Sequence, residues 1–484
     1  MLQRGLLKDC DAERLADGVL AVLERVGILC QNDELLNALA AAGAKVDFAS
    51  QRVHFPKKMQ AEFVAQFRSE VGRAYLHAER PWIEDDDDDD GGGFASIGMP
   101  DLETQVAQLV HDFETGERRQ GNRRDFVELV KLGDALHREV GVGHCLLLTD
   151  VPPLVEPLEA ALLLAEHAHK PHAAFAWNVR QIPYLAEMGE ILGLRDWFNY
   201  GAICFAHPFR FDRDVADRFV HKVKAGSPTG LTAMPVAGVT APVTLAGFVV
   251  VAAAEHLATW IAARALNPAV PLGGSMWGGA VDMRGSGVSY CSCDAMLYSF
   301  ATVEFLRRWC GIEVPVGGGE YCDAREPGLY AALEKAYKAM TIAAFTGRHP
   351  GIGSGLLEEG KTLSAVQLLI ERDLTTGVRH YARTMEVSPE LLALNEIAEV
   401  GLGLDKTHLG TEHTLRHFRQ SLWLPEFIER AGWRGPEHER LILATAHRRT
   451  QDLLAAYRKP DIASDTLARL RAVVHRARRE LLEC

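Results

Sequence analysis

From about residue 94 onward, two patterns of apolar and polar positions alternate along the chain. Short runs rich in small or β-branched residues predict strands at 94–98, 141–148, 172–177, 201–206, 230–236, 270–276, 313–317 and 351–355. Longer stretches with apolar residues at helical spacing predict helices at 125–139, 157–168, 182–192, 212–225, 245–266, 293–310, 329–345 and 363–374. Eight strands, each followed by a helix, predict an α/β fold of the TIM (β/α)8 barrel type. An open doubly wound sheet would be expected to carry a glycine-rich phosphate turn after its first strand, and none fits here.

Both flanks read as helical. Leu15, Val19, Leu23, Leu35, Leu36 and Leu39 keep helical spacing, with Asp33 as an N-cap and Gly43 as a stop. Residues 52–56 read as a short strand, and Pro56 starts another helix. Glu84, the six aspartates Asp85 to Asp90 and three glycines read as a solvated linker. Beyond residue 376 the pattern is helical, ending in an Arg-rich amphipathic stretch at 465–482 that suits an outer helix or a subunit contact. The expected organisation is a helical N-terminal region at 1–83, a linker at 84–93, a barrel at 94–376 and a C-terminal helical extension at 377–484.

Composition narrows the function. The chain has 484 residues, is 48% hydrophobic and carries a net charge of −13, which argues against a nucleic-acid partner. No unbroken apolar run is long enough to span a membrane, since the most apolar one is interrupted by Glu255 and His256. No signal-peptide core is visible at the N-terminus. Nine scattered cysteines suit reduced thiols in the cytoplasm. Cys291, Cys293, Cys310 and Cys322 have poor zinc spacing, so no metal is expected.

Barrel chemistry gathers where strands end. Those positions hold Asp150; Phe175, Trp177 and Asn178; Phe205 and His207; Met276 and Trp277; Glu320, Tyr321 and Arg325; and His349, just before the last strand. Aromatic side chains are dense among them, and aromatic faces attract quaternary ammonium groups. Carboxylates stand beside them. Trp277 lies among glycines, in Gly273 to Gly279, which leaves its ring unshielded. Any one of these aromatics could simply pack against a helix. No nucleophile elbow is visible, and no strand ends in the lysine a Schiff-base enzyme would want.

Four motifs complete the picture. Residues 234–247, Met-Pro-Val-Ala-Gly-Val-Thr-Ala-Pro-Val-Thr-Leu-Ala-Gly, form a strand-to-helix turn with Gly238 for the bend, Thr240 as N-cap and Pro242 in the first helical turn. The others are Asp-Phe-Glu-Thr-Gly-Glu-Arg-Arg at 112–119, Gly-Leu-Leu-Glu-Glu-Gly at 355–360, and His-Thr-Leu-Arg-His-Phe-Arg at 413–419 with Trp423 and Pro425. Together they resemble the trimethylamine methyltransferase (MttB-like) family.

The resemblance implies a TIM barrel that passes a methyl group from a methylamine or quaternary amine to the Co(I) centre of a separate corrinoid protein. On that reading the chain has no catalytic nucleophile and binds no cobalamin tightly. The family's methanogen enzymes carry pyrrolysine in a loop corresponding to residues 317–327, and this chain has ordinary residues there. A quaternary amine such as glycine betaine is therefore the expected donor, with Arg325, His207, His349 or Asn178 for its carboxylate. Trimethylamine or another methylamine, or a non-catalytic quaternary-amine-binding barrel, are the alternatives. A homo-oligomer is expected.

Overall fold

The structure is a computed structural model and describes residues 5–77, 97–102, 106–347, 349–430 and 432–483. The acidic linker at 84–93, and most of the strand expected at 94–98, lie outside these residues.

The fold is mixed α/β. All eight helices expected from the alternating region form, at Arg123–Leu136, Glu156–His167, Ile182–Ile191, Arg213–Lys224, Leu245–Leu266, Cys293–Cys310, Leu329–Thr346 and Ala365–Arg379. Their ends have identifiable causes. Asn122 and Asp125 close a reciprocal capping box at the first. Ser292 caps Cys293–Cys310, and Gly311 ends it in the left-handed region at φ 79°.

The strands are shorter than the sequence predicts. Parallel steps place Ala107 beside Leu146, Val142 beside Pro171, and Met276 beside Val316. Ala174–Phe175 pairs with Phe198–Asn199, and Leu272–Met276 with Thr229–Ala233 over five residues. Thr362–Leu363 lies parallel to Leu109–His111. These pairings fall into separate sheets of two to four strands among the described residues. The runs at 201–206 and 351–355 form no ladder of their own. In the second, Gly351, Gly353 and Gly355 all have positive φ, which an extended ladder cannot use.

Leu245–Leu266 is the centre of the molecule. It is the helix long and apolar enough to cross a membrane among the described residues, but it is mostly buried inside the fold. The N-terminal helices Asp9–Arg25 and Asp33–Ala41 share one hydrophobic core with it. Asn32, rather than Asp33, caps the second of these, because its side chain reaches the Leu35 N–H. The C-terminal helix Ser464–Leu482 packs on Glu156–His167 and Ile182–Ile191 in a second core.

Candidate active site

The turn at 234–247 is built differently from its prediction. Thr240 does not cap a helix; its hydroxyl accepts the Val236 N–H at 2.8 Å, closing the turn on itself. The helix starts only at Leu245, after Thr244. Pro242 therefore lies ahead of it. Two other motifs meet each other: Arg118 is ion-paired with Glu358, and the hairpins that carry them join in one four-stranded sheet through Thr362–Leu363 and Leu109–His111.

Trp277, Tyr290 and Tyr321 come together beyond the strand Leu272–Met276. The rings of Trp277 and Tyr321 stand edge to face at 5.0 Å, with Tyr290 at 6.2 Å from Tyr321. Glycines make this possible. A Cβ on Gly317 would fall 2.3 Å from the Trp277 ring, and one on Gly360 would fall 2.5 Å from Tyr321. Met276 beneath is fully buried and bonded to Pro315 and Gly317 through its backbone. The Trp277 indole N–H is buried and has no acceptor among the described residues.

Charge surrounds these rings. Burial raises the Glu320 carboxyl above its ordinary range, against the pull of Lys338 and Lys335. Burial likewise raises Asp323, opposed by the Ser289 hydroxyl, and raises Glu359. Lys338 reaches in from Leu329–Thr346. Its ammonium donates to Tyr290 O at 2.6 Å and lies 5.8 Å from the Tyr321 ring centre. Burial depresses its pKa, opposed by Cys291, Glu320 and Asp323. The Tyr290 phenol is pushed up to about 12 by burial. Thiols nearby are protonated at neutral pH: burial pushes Cys204 and Cys291 up to about 11 and Cys322 up to about 12. Lys335, one turn before Lys338, is buried and paired with Glu371, whose other oxygen accepts the Gly355 N–H at 2.7 Å.

The other expected residues are placed elsewhere or committed elsewhere. Phe175 stacks on Trp177 at 5.2 Å in a group closed by His144 and Glu156. Asn178 caps the short helix Val179–Gln181 and donates to Asp214. Asp150 is exposed and takes the Arg123 N–H. Phe205 is core, packed on Phe211. His207 donates from Nδ1 to Glu255 at 2.8 Å and accepts the Met234 N–H at Nε2, so both ring nitrogens are engaged. His349 accepts the Gly351 N–H. Arg325 is exposed, with Nε 3.6 Å from Glu358.

Lys338 and Glu359 are members that the sequence reading missed. Cys291 is buried against Glu334 O whereas Cys293 is exposed, so the two face different surroundings. The space enclosed between Trp277, Tyr290 and Lys338 is about 10 Å³, room for roughly one water. A larger cavity of about 610 Å³ lies elsewhere, lined by His111, Arg119, Asp125 and His447. Arg119 is spent there in a two-pronged pair with Asp125, so chemistry favours the aromatic cluster.

Desolvated carboxyls beside aromatic faces, with protonated thiols, make a place to hold a cation rather than to attack one. The comparisons agree with that class. The chain belongs to the trimethylamine methyltransferase (MTTB) family, whose description matches residues 4–482, and it is a methyltransferase. It is 23% identical to the glycine betaine methyltransferase of Desulfitobacterium hafniense strain Y51, over 99% of this chain and 98% of that one. It is 28% identical to the trimethylamine methyltransferase MttB2 of Methanosarcina mazei, over 58% of this chain and 56% of that one. With the trimethylamine methyltransferase MttB of Desulfitobacterium hafniense strain DCB-2 it shares 22% identity, over 83% of this chain and 79% of that one.

Proposed function

We propose that this methyltransferase takes its methyl group from a quaternary amine of the betaine type, held against Trp277, Tyr290 and Tyr321. The observation that carries this reading is the set of burial-raised carboxyls around those rings: Glu320, Asp323 and Glu359. A quaternary ammonium has no N–H to donate and no proton to lose. Only aromatic faces and carboxylates can hold it. Its arrival brings a fixed positive charge to groups that burial has made short of one. The ammonium lies on the open side of the half-buried rings, because the enclosed space holds no more than a water.

The acceptor comes from outside the chain, on a partner protein whose corrinoid centre supplies the nucleophile. Protonated thiols and a neutral Tyr290 are consistent with that division of labour. The chain's own task is orientation: one methyl directed outward, water kept from the others. As the carbon–nitrogen bond breaks, its electron pair stays on nitrogen and a neutral tertiary amine leaves, so no general acid is required. Arg325, exposed and loosely paired, takes the substrate carboxylate. The parallel strand pairs with intervening helices are read as a (β/α)8 barrel over 94–376, between the helical regions 1–83 and 377–484. Free thiols among the described cysteines fit a cytoplasmic setting.

Calorimetry with glycine betaine, choline and trimethylamine tests the substrate class. Binding of the two quaternary amines with weaker trimethylamine binding is expected. Demethylation measured with and without a reduced corrinoid protein tests the transfer. Turnover without that protein, or preference for trimethylamine, would count against the reading.

A further inference from the structure

The helix Arg213–Lys224 carries Arg218 and Lys222 one turn apart, on the same face. Arg218 is buried, with 6% exposure, and Lys222 is half-buried. The two converge on one residue. The Arg218 guanidinium donates to the Tyr200 carbonyl, and the Lys222 ammonium lies 5.8 Å from the centre of the Tyr200 ring. His221 stands with Nδ1 2.8 Å from the Tyr200 hydroxyl. Like charges at this spacing repel each other, and removal from water sharpens the repulsion. Burial lowers both pKa values, and Arg218 lowers that of Lys222 further.

No acid answers them. Neither cation forms an ion pair among the described residues. Asp214, one turn before Arg218, accepts from Asn178 Nδ2 at 3.1 Å, and Asp217 accepts from Asn32 Nδ2 at 2.7 Å. Asp196 is exposed. Other cations of this fold are matched: Lys335 has Glu371, and Arg119 has Asp125. A guanidinium carries five N–H donors. Arg218 spends Nη1 on Tyr200, while its Nε is buried without a partner among the described residues. Gly201 leaves room beside it. A Cβ there would lie 3.3 Å from Arg218 Nη1, on a backbone at φ 64°. A charge taken out of water without a counter-ion is costly.

We infer that Arg218 and Lys222 form a binding site for a small oxyanion, a phosphate or a carboxylate, beside Tyr200. The planar fork of Arg218 suits two oxygens of one such group, and Lys222 adds a point charge from the more open side. Arg218 lies too deep to meet the surface of another protein, so the occupant is a free ion or a small molecule. This inference stands apart from the methyl-transfer reading, in which Arg325 meets the donor's carboxylate.

Calorimetry of the full chain tests it, with sodium phosphate and sodium acetate as probes at constant ionic strength. Saturable binding is expected. Tighter phosphate identifies a phosphate-type ligand, and tighter acetate a carboxylate-type one. Arg218→Met removes the charge but keeps an apolar stem, and should weaken binding about tenfold or more. Lys222→Met should weaken it about threefold. Arg213→Met takes an exposed charge from the same helix and should leave affinity unchanged. Should Arg218→Met fail to fold, Lys222→Met decides alone. No saturable binding of either probe, wild-type affinity in the folded Arg218 and Lys222 variants, or an equal loss from Arg213→Met would overturn the inference.

Discussion

Phe175 with Trp177, and Trp277 with Tyr290 and Tyr321, look alike in the sequence: each is an aromatic group next to a strand. In the folded chain they differ in one respect, which is whether their polar atoms are satisfied. In the first group Glu156 accepts from Trp177 Nε1, His144 Nε2 and the Leu148 N–H, while His144 Nδ1 accepts the Phe175 N–H. Every donor has its acceptor and the rings lie flat on one another, 8° apart. In the second group the rings are tilted 65°, an indole N–H is unpaired, and three carboxyls are raised by burial. A closed polar network makes scaffold, whereas an unfinished one has affinity left for a ligand.

The sharpest way to break that contrast is to open the closed network. Glu156→Leu strands three donors, two of them in fully buried bonds, each worth about 1–3 kcal/mol when unpaired. The expected loss is about 4 kcal/mol of stability in chemical denaturation, with any lost activity following lost fold. A change below about 1 kcal/mol would mean the network is not structural.

Trp277→Ala should behave in the opposite way. Removing a desolvated cation–π contact worth about 2 kcal/mol weakens quaternary-amine binding about thirtyfold. Thermal stability should fall only modestly, and Trp277→Phe should lose much less affinity. Unchanged affinity in a folded Trp277→Ala protein would move the ammonium wall elsewhere. Trp177→Ala should leave affinity nearly alone, so equal losses from the two tryptophans would erase the contrast itself.

Arg325→Ala sharpens it further by separating the two ends of the substrate. Losing one hydrogen bond to a charged group costs about 1.5–3 kcal/mol, so KM for glycine betaine should rise about tenfold or more. Choline, without a carboxylate, should be unaffected. A matching rise for choline would show that the residue shapes the loop instead.

Much of this was legible in advance, for reasons that can be named. The eight helices of the alternating region appear because helical periodicity survives local composition, and Leu245–Leu266 and Cys293–Cys310 match to the residue. The strands were overdrawn where glycine supplied the apolar run, as at Gly351, Gly353 and Gly355. Trp277 and Tyr321 were legible from their position after strands. Lys338 was not: a lysine inside a helix reads as a solvated face. A signal did exist, since Lys335 and Lys338 sit one turn apart, but their burial against Glu371 and Tyr290 is a tertiary fact. The setting of His207 is likewise tertiary, because sequence cannot show that Glu255 and Met234 occupy both its nitrogens.

His256 tests the contrast at its far edge, with the smallest effect at neutral pH. It is fully buried on Leu245–Leu266, and among the described residues neither ring nitrogen has a hydrogen-bond partner. Gly274 makes its space; a Cβ there would lie 3.1 Å from the ring. Burial, reinforced by His207, pushes its pKa down from 6.5 to about 3. Between those values the unfolded chain binds the proton and the folded chain does not. Stability linked to His256 is therefore intact above about pH 6.5 and falls as pH drops toward 3. At pH 5 the loss is about 2 kcal/mol. His256→Leu removes the titration and the unpaired nitrogens while filling similar space. It should change stability by less than about 1 kcal/mol at pH 8. At pH 5 it should exceed wild type by about 2 kcal/mol, read as urea midpoints across pH. Parallel pH profiles for the two proteins would show that His256 is solvated or paired, and that an unpaired polar atom in this fold need not await a ligand.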